Sequence, residues 1–196
     1  MKRRLIMLLA IPVAVLGIYF GVNAFNPRNY VPDVFSASRL KSAELAQSIV
    51  LTSSDLLKSI EIIGRYDQEG NKSQALILIS NAVLKRSDFH QSAISLASEL
   101  EKMARSVPDI RPSQARDFAS EAVSSEVALV SQLLSYDDYL QQLFETLKGK
   151  VQHPDVYTDG AVQLLIDKIN EGGKGINELN NHARASLASF DKIFEK

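Results

Sequence analysis

Histidine is the residue type on which a metal or acid–base site in this chain would rest, because the 196 residues include no cysteine. The lack of cysteine excludes disulfide frameworks, thiolate zinc sites and thiol nucleophiles. The histidines at 90, 153 and 182 lie in three different segments and form no HExxH or Glu-x-x-His motif. A di-iron bundle requires two Glu-x-x-His pairs, whereas Glu178 precedes His182 by four residues. The sequence therefore predicts neither a bound metal nor a cofactor.

One segment between predicted helices concentrates residue types that bind cations. His153, Asp155 and Asp159 fall within the stretch GKVQHPDVYTD. Oxygen-rich loops can bind Ca²⁺, but the residue order of an EF-hand is absent. Aspartates close to a helix start are also expected for capping and for interaction with the helix dipole. We expect a structural role for these residues, with a ligand site in this loop as the alternative.

Two further patterns resemble functional motifs but have the wrong spacing. Glycines at 172, 173 and 175 surround Lys174, whereas a P-loop requires GxxxxGK[ST] after a strand. We expect a helix kink or a close helix contact there instead. Asp137 and Asp138 are adjacent in a predicted helix, so their side chains point about 100° apart and we expect them on a solvated face. No GxSxG occurs, so no catalytic residue is predicted and the chain is not expected to be an enzyme.

The charge distribution argues against a nucleic-acid partner. The formal net charge is −1, and the basic block Lys2-Arg3-Arg4 precedes an N-terminal segment in which no acid occurs before Asp33. The rest of the chain is mildly acidic and has no basic patch of the kind that binds nucleic acid.

The N-terminal segment has the pattern of a membrane anchor. Residues 5–22 contain no charged or strongly polar side chain, and as a helix they would be about 27 Å long, close to the ~30 Å hydrocarbon core of a bilayer. Tyr19 and Phe20 lie at the end where aromatic side chains suit the headgroup level. The basic block favours a cytoplasmic N-terminus. Residues 1–26 are therefore predicted to be a single transmembrane anchor, with the domain that follows outside the cytoplasm, periplasmic or extracellular.

A cleaved signal peptide is the alternative for the same segment. Val22-Asn23-Ala24 is an acceptable cleavage site, although the apolar run is longer than the usual core of roughly 7–15 residues. Cleavage would release a secreted protein. Gly17 and Gly21 form a GxxxG motif, which lets two transmembrane helices approach closely. These glycines are candidates for dimerisation within the membrane.

Prolines divide the remainder into a linker, residues 27–35, and a helical domain, residues 36–196. In this domain the apolar residues repeat at helical spacing, every three or four positions, rather than in the alternating pattern of a strand. The predicted fold is all-α, an up-down-up-down four-helix bundle with long helices. The helices are predicted from about 36 to 69, from about 72 to 107, from 113 to about 148, and from about 158 onward.

These observations together favour an interaction protein. A membrane-anchored helical bundle without a catalytic constellation is expected to act as a scaffold or accessory subunit, through a protein partner or self-association. The alternative is a small-ligand or metal-binding bundle of the sensory type. In architecture alone, the arrangement resembles the sensory domains of bacterial chemoreceptors. Those receptors have a second membrane span and a cytoplasmic signalling region, neither of which is recognised in this sequence, so the resemblance implies no signalling role.

Overall fold

Four long helices account for most of the chain. The computed structural model describes residues 29–154, 156 and 159–195. These residues contain no strand; one isolated antiparallel bridge joins Tyr30 to Arg111, and a short 3-10 turn, Val107–Asp109, follows the second helix. The prediction of an all-helical chain with four helices is confirmed. The helices are α1 (Asp33–Gln68), α2 (Lys72–Ser106), α3 (Ser113–Gln152) and α4 (Asp159–Phe194).

The connection between α1 and α2 is a tight turn closed by backbone hydrogen bonds. Gly70 has a φ of 73°, a left-handed conformation that glycine adopts without a steric penalty. Its N–H donates to the carbonyl of Asp67 at 3.1 Å, and the N–H of Asn71 donates to the carbonyl of Tyr66 at 2.8 Å. This pair of bonds is the Schellman arrangement that ends many helices. The chain therefore reverses direction within a few residues of the end of α1.

Contacts at the two ends of the molecule show that successive helices run in opposite directions. At one end, Arg39 near the start of α1 binds Asp191 near the end of α4 through two hydrogen bonds of 2.6 and 2.7 Å. At the other end, the Lys150 ammonium near the end of α3 lies 2.6 Å from Asp67 of α1 and 2.7 Å from Asp159 of α4. Helix α2 packs against α1 and α3, and α3 packs against α4. The arrangement is consistent with a four-helix bundle.

The core follows steps of three and four residues, most regularly on α3. The buried positions of this helix continue from Ala115 to Val151 without a gap longer than four residues. This spacing presents one face of the helix to the interior. Leu133 and Leu140 at its centre are at most 2% exposed. The long buried face of α3 is the surface on which the polar groups described below are placed.

Helix α4 continues without interruption through its glycines, as predicted. Residues 172–175 lie inside the helix rather than in a loop. A Cβ atom added at Gly172 would lie 3.6 Å from Cδ2 of Tyr136, which is an ordinary contact. A Cβ atom added at Gly173, which is buried, would meet no atom within 4 Å. The packing of α4 therefore does not require glycine at position 173.

Gly173→Ala should stabilise the bundle, because alanine forms helix more readily than glycine by up to about 1 kcal/mol and open space surrounds the new methyl group. We expect an increase of that size in the free energy of unfolding, measured by urea titration with circular dichroism. Gly70→Ala is the matched control. It should cost about 1 kcal/mol, since the left-handed φ at Gly70 disfavours a Cβ atom. A loss of stability from Gly173→Ala would contradict the helical packing of this segment.

Several predicted features lie outside the residues that the structure describes. They are the anchor, residues 1–26, with its Gly17 and Gly21, and Asp155 in the loop after α3. Within 29–154, 156 and 159–195, no helix combines the length and the apolar character needed to cross a membrane.

Candidate functional site

Three ionisable side chains lie on the buried face of α3 and form what we call the α3 polar core. They are Glu126, Tyr136 and Asp137, with exposures of 7%, 1% and 1%. Glu126 and Asp137 are eleven residues apart, close to three helical turns, so they occupy the same face of the helix. Burying a charge is costly unless it is paired and hydrogen-bonded. The surroundings of these groups therefore decide what the bundle can do chemically.

The expectation that Asp137 lies on a solvated face is wrong. Its Oδ2 atom accepts hydrogen bonds from Nη1 of Arg86 at 2.9 Å and from Nδ1 of His90 at 2.8 Å, both on α2. Its Oδ1 atom is buried and has no hydrogen-bond partner among the described residues. Asp138 is exposed, as expected. The two differ because a rotation of about 100° per residue moves Asp138 off the buried face.

Burial dominates the electrostatics of Asp137. It raises the pKa of this carboxyl group more than the hydrogen bond from His90 and the charge of Arg86 lower it. The ion pairs therefore do not fully compensate for the loss of hydration, which is common for buried salt bridges. What the cluster provides is geometry, since one buried carboxylate binds two side chains of α2 four residues apart. It fixes the alignment of α2 along α3.

The His90–Asp137 pair resembles the carboxylate–histidine pairs that bind metals or act as general bases. The carboxylate orients the imidazole, and the His90 side chain is 45% exposed, so the ring reaches the surface beside α3. Carboxylate-oriented histidines act as metal ligands and general bases in other proteins. Among the described residues, no group of three or more His, Asp or Glu side chains is arranged to hold a metal ion. The pair alone supports neither role.

Tyr136 contacts all three other helices from the centre of α3. Its hydroxyl group lies 3.1 Å from Oγ of Ser53 on α1, and its ring lies 5.8 Å from the ring of Phe89 on α2. On the α4 side, its Cδ2 atom lies 3.6 Å from the position that a Cβ atom added at Gly172 would take. Burial raises the pKa of Tyr136 to about 12, so the hydroxyl group stays neutral. This side chain links the helices at the middle of the bundle.

Tyr136→Phe should lower the free energy of unfolding by about 1 kcal/mol, because it leaves the buried hydroxyl of Ser53 without this partner. The ring contact with Phe89 is kept. Tyr139→Phe, on the same helix and only half-buried, is the matched control and should change stability by less than about 0.5 kcal/mol. Chemical denaturation of both variants provides the comparison. Equal stabilities would show that the Tyr136–Ser53 hydrogen bond does not contribute.

Glu126 lies further toward the start of α3 and is the more isolated of the two acids. Its Oε2 atom is buried and has no hydrogen-bond partner among the described residues. Burial raises its pKa from 4.5 to about 7, opposed only by the charge of Arg39 on α1. Arg39 itself is bound to Asp191 of α4. The acid is therefore held close to the point of protonation at neutral pH.

The structure describes two of the three residues predicted as a loop site. His153 is exposed at the end of α3. Asp159 lies in the first turn of α4 and pairs with Lys150 at 2.7 Å. Although burial lowers the pKa of Lys150, its hydrogen bonds to Asp159 and Asp67 outweigh burial and raise it. Asp159 thus joins an ion-pair network that connects three helices, which is a structural role.

A cavity of about 650 Å³ lies between the start of α3 and the end of α4. Its size falls within the range of small-ligand sites, roughly 300–1,000 Å³. It is lined by an aromatic ring, an aliphatic side chain and four polar side chains. The lining residues are Gln114, Phe118, Ser189, Lys192, Ile193 and Glu195.

No family model matches this chain, and comparisons with curated proteins and with solved structures reveal no significant similarity.

Proposed function

We propose that this chain is a single-pass membrane-anchored protein whose helical bundle lies outside the cytoplasm and acts as a scaffold or accessory subunit. The anchor is inferred from the uncharged residues 5–22 after Lys2-Arg3-Arg4. Helix α1 begins at Asp33, so about ten residues connect the apolar run to the bundle. Fully extended, they span at most ~35 Å. The bundle would therefore stay close to the membrane surface.

The distribution of exposed apolar side chains carries the interaction part of the proposal. Single exposed apolar residues are normal on protein surfaces, but concentrated ones are typical of interaction sites. In the part of the chain that the structure describes, α2 carries four of the ten exposed large apolar side chains, more than any other helix. We call these four residues the α2 face: Ile77, Val83, Leu84 and Ile94.

The α2 face is also poor in charge. No charged residue occurs between Lys72 and Lys85, and Lys85 pairs with Asp55 of α1 at 2.6 Å. Leu84 at the end of this stretch is 70% exposed. A partner protein with an apolar surface, or a second copy of this chain, would bury these side chains favourably. The GxxxG glycines of the anchor, Gly17 and Gly21, would support association of two copies in the membrane.

Crosslinking in native membranes tests this function, using the full chain and the variant Leu84→Glu. We expect one crosslinked species of fixed stoichiometry, either with a partner or a dimer, and its yield should fall at least roughly tenfold in the variant. Leu164→Glu is the matched control, because Leu164 is a similarly exposed leucine on α4 and the substitution should leave the yield unchanged. Recovery of the chain alone, or equal yields from all three proteins, would refute the interaction role.

The cavity between α3 and α4 supports the second candidate function, a small-ligand bundle of the sensory type. Native mass spectrometry of the purified full chain distinguishes the two functions. A retained ligand that is lost in Phe118→Arg, a substitution that replaces the aromatic ring lining the cavity with a charge, would favour the sensory function. A bare mass for the unmodified chain would exclude a tightly bound ligand.

A further inference from the structure

Glu126 and Arg39 lie near the end of the bundle where α1 begins. There, α1 and α4 are held together by two contacts. The rings of Phe35 and Phe190 lie 5.5 Å apart, and Arg39 binds both carboxylate oxygens of Asp191. The guanidinium carbon of Arg39 also lies 5.8 Å from the centre of the Phe190 ring. We call this set of contacts the α1–α4 clamp.

Arg39 is the cation for which Glu126 and Asp191 compete in the switch described below. It is bound to Asp191, whose side chain is 23% exposed, so Asp191 can exchange the guanidinium for water. Glu126 is 7% exposed, and its Oε2 atom has no partner among the described residues. An ionised carboxylate with this oxygen buried loses most of its hydration, and Arg39 is the charge that opposes the cost, because buried charges without a partner are strongly disfavoured. Ionised Glu126 is therefore the stronger competitor for Arg39.

Three further ion pairs lie near this end of the bundle. None of them contributes to the pKa of Glu126, to which only burial and Arg39 contribute. The pair that includes His182 requires a control, because histidine side chains commonly take part in pH responses. The pairs are Lys41 with Glu44 on α1, Glu99 with Lys102 on α2, and Glu121 of α3 with His182 of α4 at 3.8 Å.

We propose that Glu126 is a proton-binding site that switches the α1–α4 clamp: the protonated acid leaves Arg39 on Asp191, and the ionised acid takes Arg39 from Asp191 and loosens α1 from α4. The proposal concerns the bundle and is independent of the anchor and of any partner. The switch joins a buried acid, one shared cation and the only ion pair between α1 and α4 among the described residues. Its working range follows from the pKa of Glu126, about 7.

The α1–α4 clamp lies where the bundle begins along the chain. Arg39 is in the second turn of α1, a few residues after the segment that leads into the bundle. Tyr30, just before α1, bonds through its backbone to Arg111. A change in how α1 sits against α4 would therefore alter the start of the bundle directly. The acidity of the medium around the bundle would then control the packing of the first turns of α1.

Distance measurements between two spin labels test the switch in the full chain, which contains no cysteine of its own. Ser36→Cys on α1 and Ala188→Cys on α4 place the labels at exposed positions on either side of the clamp. We expect a single short distance at pH 5.5 and a longer or broader distribution at pH 8.5, with a midpoint near 7. Adding Glu126→Gln should abolish this pH dependence and keep the short distance throughout.

Two controls separate the switch from other titrations. Glu121→Gln removes the carboxylate beside His182 and should preserve the full pH response. Asp191→Asn weakens the clamp and should give the longer distance at both pH values. An unchanged distance between pH 5.5 and 8.5 in the unsubstituted background would overturn the proposal. So would a pH response that persists in Glu126→Gln.

A measurement on the native sequence keeps the proposal testable even if Glu126→Gln does not fold. Carbon-detected NMR of glutamate-labelled full chain follows the side-chain carboxyl resonances through a pH titration. The Glu126 resonance is expected to titrate with a midpoint near 7, together with a shift of the Arg39 side-chain resonance. Titration of every glutamate below pH 5.5 would overturn the proposal.

Discussion

Glu126→Gln should leave the free energy of unfolding unchanged near pH 4 and raise it by ~3 kcal/mol at pH 9. The folded chain raises the pKa of this acid from 4.5 to about 7, so it binds the proton more tightly than the unfolded chain does. A difference of this size corresponds to ~3 kcal/mol, because each pKa unit is worth about 1.4 kcal/mol. The contribution of Glu126 is fully present below pH 4.5, declines as the pH rises to 7 and is absent above that. Glutamine has no proton to lose and avoids the decline.

Urea unfolding of both proteins at intervals from pH 4 to 9 measures this difference. In a domain of this size, ~3 kcal/mol corresponds to roughly 6–12 °C in Tm, so thermal scans give an independent reading. Glu121→Gln serves as the control, since Glu121 is exposed and its replacement should shift stability by less than about 0.5 kcal/mol. If the curves of Glu126→Gln and the native protein stayed parallel across the whole pH range, folding would not raise the pKa of Glu126.

Arg86→Met should destabilise the bundle by about 3 kcal/mol at pH 7. The substitution removes one of two partners from Asp137, which is 1% exposed, and loss of one partner from a buried ion pair typically costs about 3–5 kcal/mol. The cost should shrink as the pH falls toward 4, because burial already raises the pKa of Asp137 and a protonated carboxyl group leaves no unpaired charge. Denaturant titrations at both pH values give the comparison.

Two further variants identify the cause. Lys85→Met removes a neighbouring cation whose pair with Asp55 is 50% exposed on both sides, and it should cost less than about 1 kcal/mol. The combination Arg86→Met, His90→Leu and Asp137→Leu replaces the whole cluster with apolar groups and should recover most of the loss. If the triple variant were as unstable as Arg86→Met alone, apolar side chains would not replace the cluster. The cluster would then stabilise the bundle through more than the pairing of its own charges.

The helices of this fold are predictable from local sequence. Prolines and Gly70 mark their limits, and apolar residues repeat at helical spacing over more than thirty residues in each segment, which leaves little ambiguity. The glycines in α4 are also placed correctly, because Ile169 and Ile176 keep the same phase on either side of them. These features depend on near neighbours in the chain, and sequence describes near neighbours well.

The α3 polar core is only partly predictable. The spacing Leu133, Asp137, Leu140 follows the buried register, so Asp137 could have been assigned to the core by position; its charge suggested a solvated face instead. That Arg86 and His90 are its partners depends on the alignment of α2 along α3, which no local pattern specifies. The lack of a partner for Glu126 depends on Arg39 binding Asp191, a residue 152 positions away. Contacts of that range require the folded structure.

Membrane anchoring with the bundle outside the cytoplasm is the central claim, and single-cysteine labelling of intact cells tests it most directly. The chain has no native cysteine, so Ser73→Cys, exposed at the start of α2, and Lys2→Cys, ahead of the apolar run, each provide one reporter. Cells with a permeabilised outer layer are treated with a membrane-impermeant maleimide, and the membrane fraction is then washed with alkaline carbonate. We predict that Ser73→Cys is labelled before lysis and stays in the pellet at full-length mass, while Lys2→Cys is labelled only after lysis. Protection of Ser73→Cys until lysis, or release of the chain by carbonate, would contradict the claim.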